Sequence, residues 1–479
     1  MLHLRLPCRR QVFYLRDEGK GGRGPGKGSR RTRAEEVLLQ ADADLLRRRH
    51  RPGPSVLRQE GHKLLTGSAL RIQALSARVA FNGRGDPGIE AELSAGGEVG
   101  RALSPSGASR GIHEAAPFSP GGPDETARLV STYKRRVIGE DAADLRGLAS
   151  TIKKIDGTPN YSRIGGSAAY SISLAAAVAA SSARGVLPCR LIDPRCNSLP
   201  YPLGNVIGGG KHAGEKSPSI QEVLVAPLGA RSVREAIQLN FDVHSRVGRE
   251  LSSRLPYPVG RGDEGGWCPG LTDEEAIQLA SEAAREVADK SGRKIRVGVD
   301  FAAGSLYNPK DGRYWYRASG KSVDREGQLS YVAELCDRFD LFYVEDPLQE
   351  EDFDGFADLT SSLRGKRLVV GDDLYTTNLE RLEEGARRKS TSGVIVKVNQ
   401  VGTLGEAQEF SSSSKKGGQT LIASHRSGDN EDPHLADIAI GFGCALMKCG
   451  IVGAERTAKL NALLMRAEKL DRARMAKVD

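Results

Sequence analysis

From about residue 200 to the C-terminus, short apolar runs alternate with helix-like stretches, and nearly every run ends in one ionisable side chain. The runs are Val223–Ala226, Ile295–Phe301, Leu341–Glu345, Leu368–Val370, Val394–Val398, Thr420–Ala423 and Ala445–Met447. Helical patterns such as Asp273–Lys290 and Arg325–Arg338 stand between them. This alternation predicts a (β/α)8 barrel of parallel strands. The residues at the run ends are Asp300, Glu345, Asp372, Lys397, His425 and Lys448, separated by 45, 27, 25, 28 and 23 residues. Four of those spacings match one strand–helix repeat. A parallel barrel carries all its strand C-termini on one rim, so six distant residues should meet there. Strands ending where polarity begins would explain one or two such charges, but not three carboxylates followed by a lysine.

The preceding segment reads differently. Leu75–Ala80 and Gly88–Leu93 alternate like strands of a small sheet, and Asp124–Gly139, Asp144–Ile155 and Gly166–Ala183 read as helices. A strand group followed by a helix group predicts an α+β domain capping the barrel. The expected division is residues 1–70 as an extension, 71–199 as the α+β domain and 200–479 as the barrel.

The net charge of +9 would suggest a nucleic-acid or anionic-surface partner if it were spread over the fold. Residues 1–70 hold 16 Lys/Arg against 7 Asp/Glu, and the remaining chain has 54 of each sign. The excess therefore belongs to a basic, Gly/Arg-rich tail expected to be disordered. Its acidic residues fit a transit peptide poorly. Its Gly21–Lys27 segment imitates a phosphate loop but continues with Gly28 and follows no strand. No apolar stretch has the length of a membrane span. Seven scattered cysteines without a C-x-x-C pair suggest reduced buried thiols, with a Cys189–Cys196 disulfide as the alternative.

Three carboxylates on one rim repel one another and call for a hard divalent cation, and oxygen-only ligands favour magnesium. Positive charge nearby destabilises a lysine ammonium and fits Lys397 to act as a base. The reaction class is proton abstraction next to a carboxylate, with metal holding the resulting charge.

Ordered segments carry a resemblance. They include SPSGASRGIHEA (104–115), GNVIGGGKHAG (204–214), GDEGG (262–266), VGVDFAA (297–303), YVEDPLQEEDF (343–353), VVGDDLYTTN (369–378), VKVNQVGTLGEA (396–407), SHRSGDNEDPHLADIA (424–439) and MKCGIVGAERTAKLNALL (447–464). Together they resemble enolases, the phosphopyruvate hydratases, across roughly residues 72–470. IGGSAAYSISLAAA (164–177) is similar to the archaeal branch.

The resemblance implies a magnesium-dependent, reversible dehydration of 2-phosphoglycerate to phosphoenolpyruvate in the cytoplasm, with two magnesium ions per site. Asp300, Glu345 and Asp372 would bind the first ion and Ser109 the second. Lys397 would be the base and Glu264 the acid, assisted by Glu222. Lys448 would pair with the substrate carboxylate, and Arg426 and Ser427 with its phosphate. His212 and His425 would line the pocket, while His113 and His434 would be structural or surface residues. A homodimer or higher homo-oligomer is implied, with no membrane or nucleic-acid partner required. NGRGDPG (82–88) departs from the family's D-S-R-G-N-P stretch, which touches on a local turn and a subunit contact. One extra residue lies between His212 and Glu222, with Pro218 in the insertion, and Arg110 replaces a threonine beside Ser109.

Two alternatives compete. A racemase or cycloisomerase of the same superfamily would share the carboxylates but lack the SHRSG and K-x-G-x-x-x-x-E-R segments. A weakly catalytic binding protein would work through its tail. Deleting residues 1–70 separates the classes: turnover is expected to persist, whereas a tail-driven binder would lose its salt-sensitive partner, as measured by parallel activity and salt-titrated binding assays.

Overall fold

In the computed structural model, residues 69–107, 111–214, 216–363, 365 and 367–478 are described, His212 through its backbone alone. Ser109, Arg110 and the basic tail up to residue 68, with its glycine-rich decoy, lie outside the described residues.

Alternating apolar residues pair β1 (Ile72–Phe81) with β2 (Pro87–Ala95) and β2 with β3 (Glu98–Leu103), all antiparallel. Strand β3 was not expected, because its glycine and charged residues obscure the period-two pattern. The helices follow at Gly122–Val137, Leu145–Asp156 and Gly166–Ala183. Asp144 starts the second by accepting from the Gly147 N–H, and Gly157 ends it in the left-handed conformation. The third is almost wholly buried and built largely from alanine and serine. Small side chains let its backbone lie directly on the sheet: a Cβ on Gly100 would stand 2.0 Å from the Ala175 carbonyl oxygen. Ser171 Oγ donates to Ile89 O at 2.6 Å across the same contact.

Past β4 (Ser198–Leu199), a closed eight-stranded barrel begins with β5 (Tyr201–Gly208) and β6 (Glu222–Ala226). Strand β5 was missed because Pro202, Gly204 and Gly208 give it poor strand character, although all eight of its residues are buried. The barrel continues with β7 (Arg296–Asp300). A small antiparallel sheet then intervenes, formed by β8 (Tyr307–Asn308), β9 (Arg313–Tyr316) and β10 (Lys321–Val323). That insertion accounts for the one long spacing, between Asp300 and Glu345. The remaining barrel strands are β11 (Tyr343–Glu345), β12 (Leu368–Gly371), β13 (Gly393–Val396), β14 (Thr420–Ser424) and β15 (Leu446–Gly450), which closes on β5.

The expected all-parallel order is corrected at one strand. β6 runs antiparallel to both β5 and β7, while every other barrel pairing is parallel. The turn from Gly209 to Gln221 reverses the chain too soon for a crossover helix, and the reversal follows. Helices Val233–Arg254 and Asp273–Ser291 then come in succession before β7. The second opens with a capping box in which Thr272 and Glu275 satisfy each other's backbone N–H groups.

All six described cysteines are free, and Cys189 and Cys196 are both buried thiols. Among the described residues no helix is long and apolar enough to cross a membrane. Replacing Gly100 by alanine is expected to force the helix off the sheet and cost about 1–3 kcal/mol. A urea-unfolding midpoint equal to that of the parent would contradict this packing.

Candidate active site

The rim gathers the residues singled out from sequence. Asp300 and Glu345 close β7 and β11. Asp372, Lys397 and His425 follow directly on β12, β13 and β14. Lys448 lies inside β15 rather than at its end, and it is buried, not a surface lysine. Glu222 joins the rim from the opposite chain direction, because reversed β6 starts where its neighbours end and pairs Glu222 with Asp300.

Lys448 ties three of these strands together. Its Nζ lies 2.6 Å from Glu222, 2.7 Å from Asp300 and 2.8 Å from Glu345. Tyr343 donates to Glu345 at 2.6 Å. Lys397 forms an ion pair with Asp372, whose other oxygen accepts from Gln400 at 3.2 Å. Glu264, in the 262–266 turn, lies 3.3 Å from the Asn205 amide and 3.6 Å from His425 Nε2. Asn205 also donates to Glu222 at 2.6 Å, so the two glutamates share one amide. Arg426 meets Glu114 at 3.0 Å, and Ser427 Oγ accepts from Arg84 at 3.3 Å. The side chain of His212 and all of Ser109 lie outside the described residues.

Among the described residues, seven carboxyl groups and three cations line this pocket. Burial, reinforced by neighbouring acids, pushes Asp300 up, Glu345 and Asp346 well up, and Asp373 to about 7. Burial and then Glu264 raise Glu222 to about 7. Burial pushes Asp372 up as well, but Lys397, with Lys448 and Arg426, outweighs it and holds this acid below the ordinary carboxylate range. The donor set is all oxygen and carries uncompensated negative charge, so it fits hard divalent cations. Two tight groups stand out: Asp346, Asp372 and Asp373, and Glu222, Glu264 and His425, each with ligand atoms within 4.8 Å of one another.

One expectation is corrected here. Lys397 was expected to be destabilised as an ammonium. Burial does act in that direction, but Asp372 outweighs it and holds Lys397 above the usual lysine value. With the protein's own charges alone, Lys397 stands as an ammonium paired with Asp372.

The turns leaving the rim are strained. Ala302, Asp346, Thr376 and Thr377 all adopt positive φ, which costs on the order of 1–3 kcal/mol each for such residues. Hydrogen bonds hold them. Asp346 accepts from the backbone N–H groups of Asp372 and Asp373 at 2.9 and 2.8 Å. Thr377 Oγ accepts from Lys397 N at 2.9 Å and donates to Gln400 at 3.0 Å. Asp300 accepts from Ala302 N at 2.9 Å.

Sequence reasoning gave no role to Asp346, Gln400, Glu114 or Arg456, all of which touch the site's residues. Asp346 and Gln400 stand beside singled-out positions, and their proximity was the available signal. Glu114 and Arg456 lie inside the quoted segments SPSGASRGIHEA and K-x-G-x-x-x-x-E-R, and that membership was their only signal. The NGRGDPG departure also lies closer to the site than expected: Gly83 N donates to Asp429 O at 2.8 Å and Asn82 to Gly428 O at 3.1 Å, behind Ser427. His113, between Glu351 and Arg381, and His434, against the Arg101 carbonyl, stand apart from the rim.

A closed barrel with buried acids, two lysines and an arginine at one rim, joined to an α+β domain, defines a barrel enzyme with its candidate site at the strand ends. The comparisons agree. Residues 72–192 match the model of the enolase N-terminal domain, and residues 196–477 that of the enolase C-terminal TIM barrel domain. The chain is 39% identical over 416 residues to the enolase of Methanosphaera stadtmanae, covering 85% of this chain and 99% of the relative. The enolase of Archaeoglobus fulgidus is 41% identical over 408 residues, covering 85% and 100%. That of Methanocorpusculum labreanum is 42% identical over 398 residues, covering 82% and 98%. The chain belongs to the enolase family, which sets aside the racemase and cycloisomerase alternative.

Glu222 gives a pH test. Held near 7 in the folded state against 4.5 as an isolated side chain, it binds its proton more tightly when folded. Its contribution to stability is therefore complete below 4.5 and is lost as pH rises through about 7. With chelator present, Glu222→Gln is expected to remove up to roughly 3 kcal/mol of that decline. Urea melts across the window check this, and an unchanged slope in the variant would contradict it.

Proposed function

We propose that the protein catalyses the magnesium-dependent, reversible dehydration of 2-phosphoglycerate to phosphoenolpyruvate, as part of glycolysis and gluconeogenesis in the cytoplasm. The observation that carries this reading is that Lys397, the Glu264–Glu222 pair and Arg426 line one and the same pocket. Lys397 removes the proton at C2. Glu264 protonates the departing C3 hydroxyl, and Glu222, kept protonated near neutral pH by burial and by Glu264, supports that transfer. Arg426 and Ser427 hold the phosphate, for which the planar guanidinium offers a matching fork. Lys448 faces the substrate carboxylate, and His212 and His425 line the pocket.

Asp300, Glu345 and Asp372 would hold one magnesium ion and Ser109 a second. Bound magnesium supplies positive charge for the substrate's anionic groups and for the carboxylate cluster. Burial keeps water from screening these charges. The working division is a basic extension over 1–70, an α+β domain over 71–199 and a catalytic barrel over 200–479, assembled as a homodimer or larger homo-oligomer.

Purified protein is expected to form phosphoenolpyruvate, followed by its ultraviolet absorbance, only when magnesium is supplied, and chelation should abolish turnover. Lys397→Ala should lower the rate by ~10²–10⁴ while magnesium binding measured by calorimetry stays largely intact. Normal turnover by that variant would overturn the assignment of the base.

A further inference from the structure

Arg456 is almost completely buried, in the first turn of the helix Ala454–Lys469. Its Nη1 lies 2.8 Å from His425 Nδ1 and donates to Arg426 O at 2.7 Å. Its Nη2 donates to Ser427 O at 2.6 Å and Asp263 O at 2.9 Å. One guanidinium thus holds the backbone on both sides of the pocket, behind the proposed phosphate residues and next to the proposed acid.

The contact with His425 has a chemical consequence. An arginine N–H can only donate, so the nitrogen facing it must present a lone pair. The Gly450 N–H, 3.4 Å from the same Nδ1, is also an obligate donor. Turning the ring over would set a C–H against both. We propose that Arg456 is a positioning residue that fixes His425 as the neutral tautomer with its proton on Nε2, so that His425 accepts through Nδ1 and presents a hydrogen-bond donor to the pocket. This inference rests on the reading of the pocket as the site of 2-phosphoglycerate dehydration.

The surroundings agree. Among the described residues, the charged groups facing the ring are Arg456 and Lys459 from the last helix, Lys448 from β15, Lys397 after β13, and the acids Glu264 and Glu222. Burial and the four cations oppose the imidazolium. Nε2 is buried, has no hydrogen-bond partner among the described residues, and belongs to a ring that lines the pocket. A donor in that place suits an oxygen of an entering anionic substrate. The tautomer also decides what the group Glu222, Glu264 and His425 can hold. A metal on Nε2 would drive the proton to Nδ1, against the guanidinium, so this trio is closed to metal.

The test is solid-state ¹⁵N NMR of the full-length protein labelled at histidine, with the His425 signals assigned by their loss in His425→Gln. The expected spectrum has an unprotonated Nδ1 and a protonated Nε2, unchanged from about pH 5 to 8, where an ordinary imidazole titrates. A proton on Nδ1, or titration to imidazolium within that window, overturns the proposal. Arg456→Lys, which keeps a donor, should keep this spectrum. Arg456→Met should lose it and lower kcat about 10–100-fold, the usual effect of removing an orienting partner; a folded Arg456→Met protein with the parental spectrum also overturns it. Because the wild-type spectrum needs no substrate, an inactive protein with the expected tautomer would refute the assigned reaction and leave this inference standing.

Discussion

The buried contact between Lys448 and three carboxylates organises the mouth of the barrel. An unpaired charge in a dry interior is expensive, and Glu222, Asp300 and Glu345 stand close enough to repel one another. Burial opposes the lysine's charge, yet the three acids hold its ammonium well above the usual value. One cation among three carboxyl groups, which burial pushes towards their protonated forms, leaves an imbalance of acidic over basic groups. That imbalance, continued through Asp346, Asp372 and Asp373, makes the rim a receptor for hard cations. It also makes the strand ends interdependent, since moving any one strand strands a charge.

Reversal of β6 is what completes this cluster. A parallel strand in that position would carry Glu222 to the bottom of the barrel, away from its partners. Antiparallel pairing with β7 sets Glu222 opposite Asp300 instead. Asn205, from β5, then bridges Glu222 and Glu264. The turns beyond the other strands do comparable work at the expense of backbone strain. Left-handed residues at Asp346, Thr376 and Thr377 aim Asp372 and Lys397, and their hydrogen bonds hold them in place.

The α+β domain contributes more than a cover. Glu114 accepts from Arg426 and from Gln400, and Gln400 also reaches Asp372. The Gln400 carbonyl accepts from Ala115 N at 2.8 Å. The segment carrying Glu114 is thereby hydrogen-bonded to the arginine proposed to bind phosphate and to an acid proposed to bind metal. Arg84 and Asn82 act likewise behind Ser427 and Gly428. An anion binding at Arg426 would compete with Glu114 for the same guanidinium.

Much of this was legible in the chain itself. Periodicity located the helices at Gly166–Ala183 and Arg325–Arg338, and the end-of-run polar residues Asp300, Glu345, Asp372 and Lys397 marked the rim, because strand repeats and residue chemistry are local properties. The sequence did not reveal β5, whose proline and glycines hide a fully buried strand, or the direction of β6, which depends on how the chain turns rather than on what the strand contains. It placed Lys448 on the rim without its three buried acidic partners and left Arg456 without a function. Partners of those two come from segments tens to hundreds of residues away, and the protonation of Lys397 and His425 depends on which charges the fold sets beside them. Residue types and repeats were written locally; charge pairing, strand direction and proton position exist only once distant segments share one dry space.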